Sequence, residues 1–154
     1  MKDDQESDGE VRVQIWQMGQ DDNSTDVVIL KDAQDRLLQM VIGPCEAAAI
    51  WLKLEPEQTR ELVRRPLTHD LLSAVIERLG AKLERVLIDD LSNGTYFAKL
   101  FLTVDDRTLT VDARPSDSIA LALRQGAPIF ATEAVMQAAQ EPDEQEPAEP
   151  GPDD

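Results

Sequence analysis

Between residues 11 and 140 the apolar positions follow two rhythms, one of period two and one of helical period. Val11, Val13 and Ile15 alternate with polar residues, the pattern of a half-buried strand reaching to Met18. Val27 to Lys31 is a β-branched run, Asp32-Ala33-Gln34-Asp35 a turn, and Leu37 to Ile42 the returning strand. Gly43-Pro44 interrupts that pattern and opens a helix, since the N–H that proline lacks has no partner in a first helical turn. Ala47, Ile50, Trp51 and Leu54 recur on one face of this helix, which is expected to end near Leu54. Residues 55–65 are polar and read as a short helix plus a loop. Thr68 is expected to cap a further helix whose apolar stripe is Leu71, Leu72, Val75, Ile76 and Leu79, with Gly80 ending it.

A second meander follows the same plan. Lys82 to Leu91 reads as a strand, and Asn93-Gly94 as a tight hairpin turn in which both central residues need positive φ. Tyr96, Ala98, Leu100, Leu102 and Val104 line one face of the next strand, and Arg107 to Ala113 returns with Leu109 and Val111 on one side. Arg114-Pro115-Ser116-Asp117 opens a helix to about Gln125 that is apolar all round from Ile119 to Leu123, hence buried. A short strand over 128–131 and a last helix capped by Thr132 complete the pattern. A shift of 71 residues lays Asp35-Arg36 on Asp106-Arg107 and Pro44-Cys45-Glu46 on Pro115-Ser116-Asp117. The expected fold class is therefore α+β, with two β-meander-plus-helix halves, consistent with an internal duplication, forming one mixed domain.

Composition narrows the setting. The chain has 154 residues, 42% of them hydrophobic, which suits one ordinary domain with a packed core. No apolar run approaches the roughly 20 residues of a membrane span, and the N-terminus lacks the basic and apolar regions of a secretory signal. A cytoplasmic protein with no membrane partner is expected. The single cysteine, Cys45, excludes an internal disulfide framework and a cysteine-built zinc site, and is expected to pack as a small apolar residue. Trp16 and Trp51 are expected in the core or a subunit interface.

Charge looks at first unfavourable to nucleic acid, at −16 overall. Its distribution changes that. Residues 1–10 and 141–154 hold twelve acids and one base, so −11 resides in two tails expected to be disordered. The domain over 11–140 carries only −5, and its bases cluster: Arg60, Arg64, Arg65, Arg78, Lys82 and Arg85, then Arg107 and Arg114.

Two junctions concentrate chemistry: Arg65-Pro66-Leu67-Thr68-His69-Asp70 and Asp112-Ala113-Arg114-Pro115-Ser116-Asp117. Each joins Arg-Pro to a helix start, where free N–H groups and partial positive charge suit a phosphate. Arg65 and Arg114 supply bidentate phosphate forks. Asp112 and Asp117 are candidate ligands for a divalent ion such as Mg²⁺ or Mn²⁺, which activates water and neutralises a leaving oxygen. Glu46, His69, Asp70 and Asp117 are the acid–base candidates, and the lone histidine excludes a two-histidine mechanism. Each also has a structural role open to it, since acids are favoured in first helical turns and Arg114 is placed to pair with Asp112 or Asp117. No phosphate-binding glycine loop, G-x-S-x-G or H-E-x-x-H occurs.

The segments Ile42 to Ala47, Arg65 to Leu72, Asn93 to Ala98, Val111 to Ala122 and Gly126 to Phe130 resemble the bifunctional nuclease family, over about residues 11–140. Cys45 departs from it, standing where an aromatic residue is more usual. The resemblance implies hydrolysis of both DNA and RNA and assembly as a homo-oligomer. Glu46, Arg65, His69, Asp70, Asp112, Arg114 and Asp117 match the family pattern. The competing reading is a non-catalytic oligomeric module that binds a protein or small ligand, with the Arg-Pro junctions as locks.

Overall fold

The computed structural model describes residues 9–62 and 65–141. The acidic segments at 1–8 and 142–154, and Arg64 of the basic cluster, lie outside the described residues. The strands are β1 (Glu10–Gln20), β2 (Asp26–Asp32), β3 (Leu37–Val41), β4 (Lys82–Ser92), β5 (Thr95–Val104), β6 (Arg107–Ala113) and β7 (Ile129–Thr132). The helices are α1 (Pro44–Leu54), α2 (Pro56–Thr59), α3 (Thr68–Arg78), α4 (Pro115–Gln125) and α5 (Glu133–Gln140). The fold is α+β, as the hydrophobic pattern indicates. β1 begins at Glu10, and the Gly9 carbonyl accepts a bond from the Glu133 N–H, so the end of the expected N-terminal tail belongs to the fold.

All seven strands form one sheet in the order β3-β2-β1-β7-β4-β5-β6. Each meander is antiparallel throughout. β7 joins them, antiparallel to β1 and parallel to β4. The turns carry the residues their geometry demands: Asn93 and Gly94 have φ of 52° and 76°, and Asp35 and Asp106 both stand at 64°.

Residues paired across strands share a face of the sheet. One row therefore runs Val13–Ile129–Val86–Leu100, with Leu30 and Leu38 continuing the same face beyond it. These are buried, and α1, α4 and α5 cover them, while α3 packs on α4. α4 is the central piece, buried at Pro115, Ser116 and Ser118 to Ala122. Ser118 is fully enclosed, and its hydroxyl donates back to the Arg114 carbonyl at 2.8 Å, which satisfies it without a partner outside the helix.

Several expectations change. Of the α3 stripe only Ile76 is buried, beside His69 and Ser73; Leu71, Leu72, Val75 and Leu79 face outward. Hydrophobic period located the helix but not the side that packs, because α3 rests on α4 through a narrow strip. Thr68 is the first helical residue rather than the cap; Leu67 holds the cap position and the Asp70 carboxylate accepts its N–H. Cys45 is exposed, lying on the outer side of the first turn of α1. Trp16 and Trp51 are 51% and 39% exposed, so neither is a core residue of this chain. No helix among the described residues is long and apolar enough to cross a membrane.

Candidate active site

The starts of α1 and α4 are built alike. Each has proline at its first position and an acid at its third: Glu46 in α1, Asp117 in α4. Neither start has a side-chain cap, so its first N–H groups remain available to an anion. α1 packs beside α4, which brings the two acids together, and one guanidinium spans them. Arg114 Nε donates to Asp117 Oδ2 at 2.8 Å and Arg114 Nη2 donates to Glu46 Oε1. α3 supplies the fourth member: His69 Nε2 lies 2.9 Å from the other Asp117 oxygen.

Exposure grades across this network. The Arg114 side chain is 64% exposed, Asp117 32%, Glu46 14% and His69 11%. Burial pushes the Asp117 carboxyl upward, but hydrogen bonds from Arg114 and His69 outweigh it and hold the group below the ordinary carboxylate range. Arg114 is raised by its bonds to Asp117 and then Glu46. Asp117 is thus an ionised acceptor that orients an imidazole, rather than a proton donor. A groove of about 780 Å³ opens beside the network, lined by Arg114, Pro115 and Ser116 on one side and by Gln39, Val41 and Gly43 on another. Arg114 is the point at which the network meets open space.

Three expected residues lie elsewhere. Asp70 is turned away: its Oδ2 accepts the Leu67 N–H at 3.0 Å and its Oδ1 accepts Arg124 Nε at 2.7 Å. Arg65 is exposed and makes no hydrogen bond among the described residues. Asp112 pairs in register with Lys99, on the side of the sheet opposite the helices. Among the described residues no group of three or more His, Cys, Asp or Glu is placed to hold a metal ion. Asp112 and Asp117 are not brought together, and each carboxylate that does converge gives one oxygen to Arg114.

Arg124 is the residue that sequence reasoning passed over. Its side chain is 3% exposed, and it ties three helices together through Asp70, the Ala49 carbonyl at 3.1 Å and the Ala120 carbonyl at 2.8 Å. The available signal was an arginine ending an otherwise apolar, buried helix, which requires a carboxylate partner.

The bifunctional nuclease domain model matches residues 28–144 of the chain. The chain belongs to the bifunctional nuclease domain family. An uncharacterised Mycobacterium tuberculosis protein is 47% identical over 129 residues, covering 83% of this chain and 74% of that relative. Bifunctional nuclease 1 and bifunctional nuclease 2 of Oryza sativa subsp. japonica are 27% and 30% identical over 106 residues. Those matches cover 67% of this chain but 31% of each rice protein. All of Glu46, His69, Arg114 and Asp117 fall within the residues matched by the bifunctional nuclease domain.

Proposed function

We propose that the protein hydrolyses phosphodiester bonds of DNA and RNA, with the scissile phosphate seated on Arg114 at the start of α4. The observation that carries this reading is the single exposed guanidinium that spans two carboxylates beside an open groove. Arg114 commits Nε and one Nη2 hydrogen to carboxylates, which leaves three N–H donors for phosphate oxygens. The uncapped start of α4 adds backbone N–H groups to the same seat. Glu46 is bonded through Oε1, so Oε2 accepts the proton of the attacking water. Asp117 holds Nε2 of His69, which fixes the ring and leaves Nδ1 for proton exchange with the leaving oxygen.

The test is cleavage of single- and double-stranded DNA and RNA by purified protein, with and without Mg²⁺ or Mn²⁺. Arg114→Ala combined with Asp117→Ala should slow cleavage at least about 100-fold, the typical weight of a positioned acid–base group. Equal rates for this double variant and the parent, at equal folded fraction by circular dichroism, would overturn the site.

One observation favours a second reading. Arg114 holds one oxygen of each carboxylate of the network, as in a lock between α1 and α4, and α3 presents Leu71, Leu72, Val75 and Leu79 to the outside. On that reading the protein is a homo-oligomeric binding module, clean parent protein cuts nothing, and the double variant melts lower. Self-association through α3 is compatible with either reading and is the assembly we propose.

A further inference from the structure

The side of the sheet opposite the helices carries an aromatic and cationic pocket that the candidate active site does not use. β1 contains a bulge: Ile15 pairs with Leu30 and Gln17 with Ile29, so Trp16 is the inserted residue. Bulges re-aim a side chain, and this one leaves the indole half exposed beside Gln14 and Lys31, a pair on the outer face. Arg12, Gln14, Trp16 and Lys31 line a pocket of about 270 Å³. Lys31 Nζ lies 5.6 Å from the Trp16 ring centroid. Arg12 is exposed, and its side chain makes no hydrogen bond or ion pair among the described residues. The one acid in the lining, Asp32, is consumed by Arg36 and by the backbone N–H groups of Gln34 and Arg36, while Lys31 makes an exposed ion pair with Asp35 at 3.2 Å that a phosphate would displace.

The pocket also connects to the groove. Lys31 pairs across the ladder with Leu37, and Leu37 lines the groove that ends on Arg114. A continuous surface therefore runs from Trp16, over the β3 edge past Leu37 and Gln39, to the start of α4.

We infer that this surface is a track for single-stranded nucleic acid, with one unstacked base on Trp16 and its phosphates on Arg12 and Lys31, the strand then crossing β3 into the Arg114 groove. The inference rests on the nuclease reading and names its substrate form. A duplex hides its base faces in its own stack, whereas a single strand offers them to an aromatic side chain. Side-chain amides at Gln14 and Gln39 suit base edges along the path. A second copy of the chain fits the pocket less well. Protein interfaces deplete lysine at their centres, and here two cations surround a solitary aromatic ring.

The experiment uses full-length protein carrying Trp51→Phe, so that Trp16 is the only indole, and a short phosphorothioate single strand that resists cleavage. Binding should quench the remaining Trp fluorescence, tighten with strand length from a mononucleotide upward, and weaken steeply with salt. Trp16→Ala, followed by anisotropy of a labelled strand, should weaken binding about 10-fold, as expected for one stacked base, while Trp16→Phe largely preserves it. Arg12→Ala with Lys31→Ala should lower the salt dependence. Three results would overturn the track: unchanged affinity for Trp16→Ala in a protein that still cuts nucleic acid, duplex bound as tightly as single strand, or a mononucleotide bound as tightly as the strand. A change of oligomeric mass in Trp16→Ala at unchanged strand affinity would instead assign the indole to a subunit contact and also overturn it. Parent protein that neither binds nor cuts any nucleic acid would fail the nuclease reading itself.

Discussion

A Cβ added at Gly43 would sit 2.3 Å from Oε2 of Glu46, so the absent side chain is what lets that carboxylate fold back over the start of α1 and reach Arg114. Gly43 has φ of −73°, which alanine adopts without strain. Gly43→Ala should therefore leave the backbone intact and displace Glu46, costing at most about 1 kcal/mol, the range of an exposed ion pair. Loss of cleavage with a nearly unchanged melting temperature is the expected pair of results. Asp70 and Arg124 behave differently, because their pair is largely enclosed. Arg124→Met leaves the Asp70 carboxylate without its cation, and urea denaturation should show a loss of about 3–5 kcal/mol. Burial raises Asp70, but the Leu67 N–H and Arg124 bring it below its ordinary value. Asp117 is lowered too, so the unfolded chain binds more protons than the folded one at acid pH. Stability from these groups is complete above the ordinary carboxylate range and is lost as pH falls below about 4. Thermal melts between neutral pH and pH 3 should show that fall, and Asp70→Asn should flatten it.

At the scale of elements, α3 is anchored on one side and bare on the other. Its inner face holds His69 against Asp117 and Ser73 against Gln125, whose Nε2 donates to the Ser73 hydroxyl at 2.7 Å. Its outer face offers four large apolar side chains to solvent, an arrangement that favours association with another such face. Replacing Val75 and Leu79 by glutamate should reduce the mass seen by light scattering and leave the melting temperature nearly unchanged; an unaltered mass would remove α3 from the assembly. The periodicity of this helix was legible in the sequence, yet its buried face was not. Five apolar residues outvote His69 and Ser73 in any pattern, and only the position of α4 decides which side packs. The same limit explains the candidate site. Glu46 and Asp117 were recognisable because each sits third in a proline-opened helix. Asp70 looked equivalent by that rule, but Arg124, distant in sequence, claims it. The strands were more legible than the helices' faces, since turn residues such as Asn93-Gly94 fix their boundaries locally.

The whole molecule is two antiparallel meanders held in one sheet by β7, which is four residues long and the last strand of the described chain. Helices reinforce the junction: Arg36, in the β2–β3 turn, grips Glu133 of α5 with two bonds of 2.6 and 2.9 Å while also holding Asp32 at 2.7 Å. Position in the chain gives β7 a significance for biosynthesis. Roughly 110 residues separate the end of β1 from the strand that will pair with it, which is about 5 to 20 s of ribosomal elongation. Throughout that interval the facing edge of β1 has no native neighbour, and from its own synthesis onward neither has that of β4; each presents a row of unpaired amide groups to any other nascent strand. Among the described residues the finished sheet has β3 and β6 at its margins, whereas the growing polypeptide passes through a stage with two further open edges, so its greatest exposure to misassembly falls before β7 pairs.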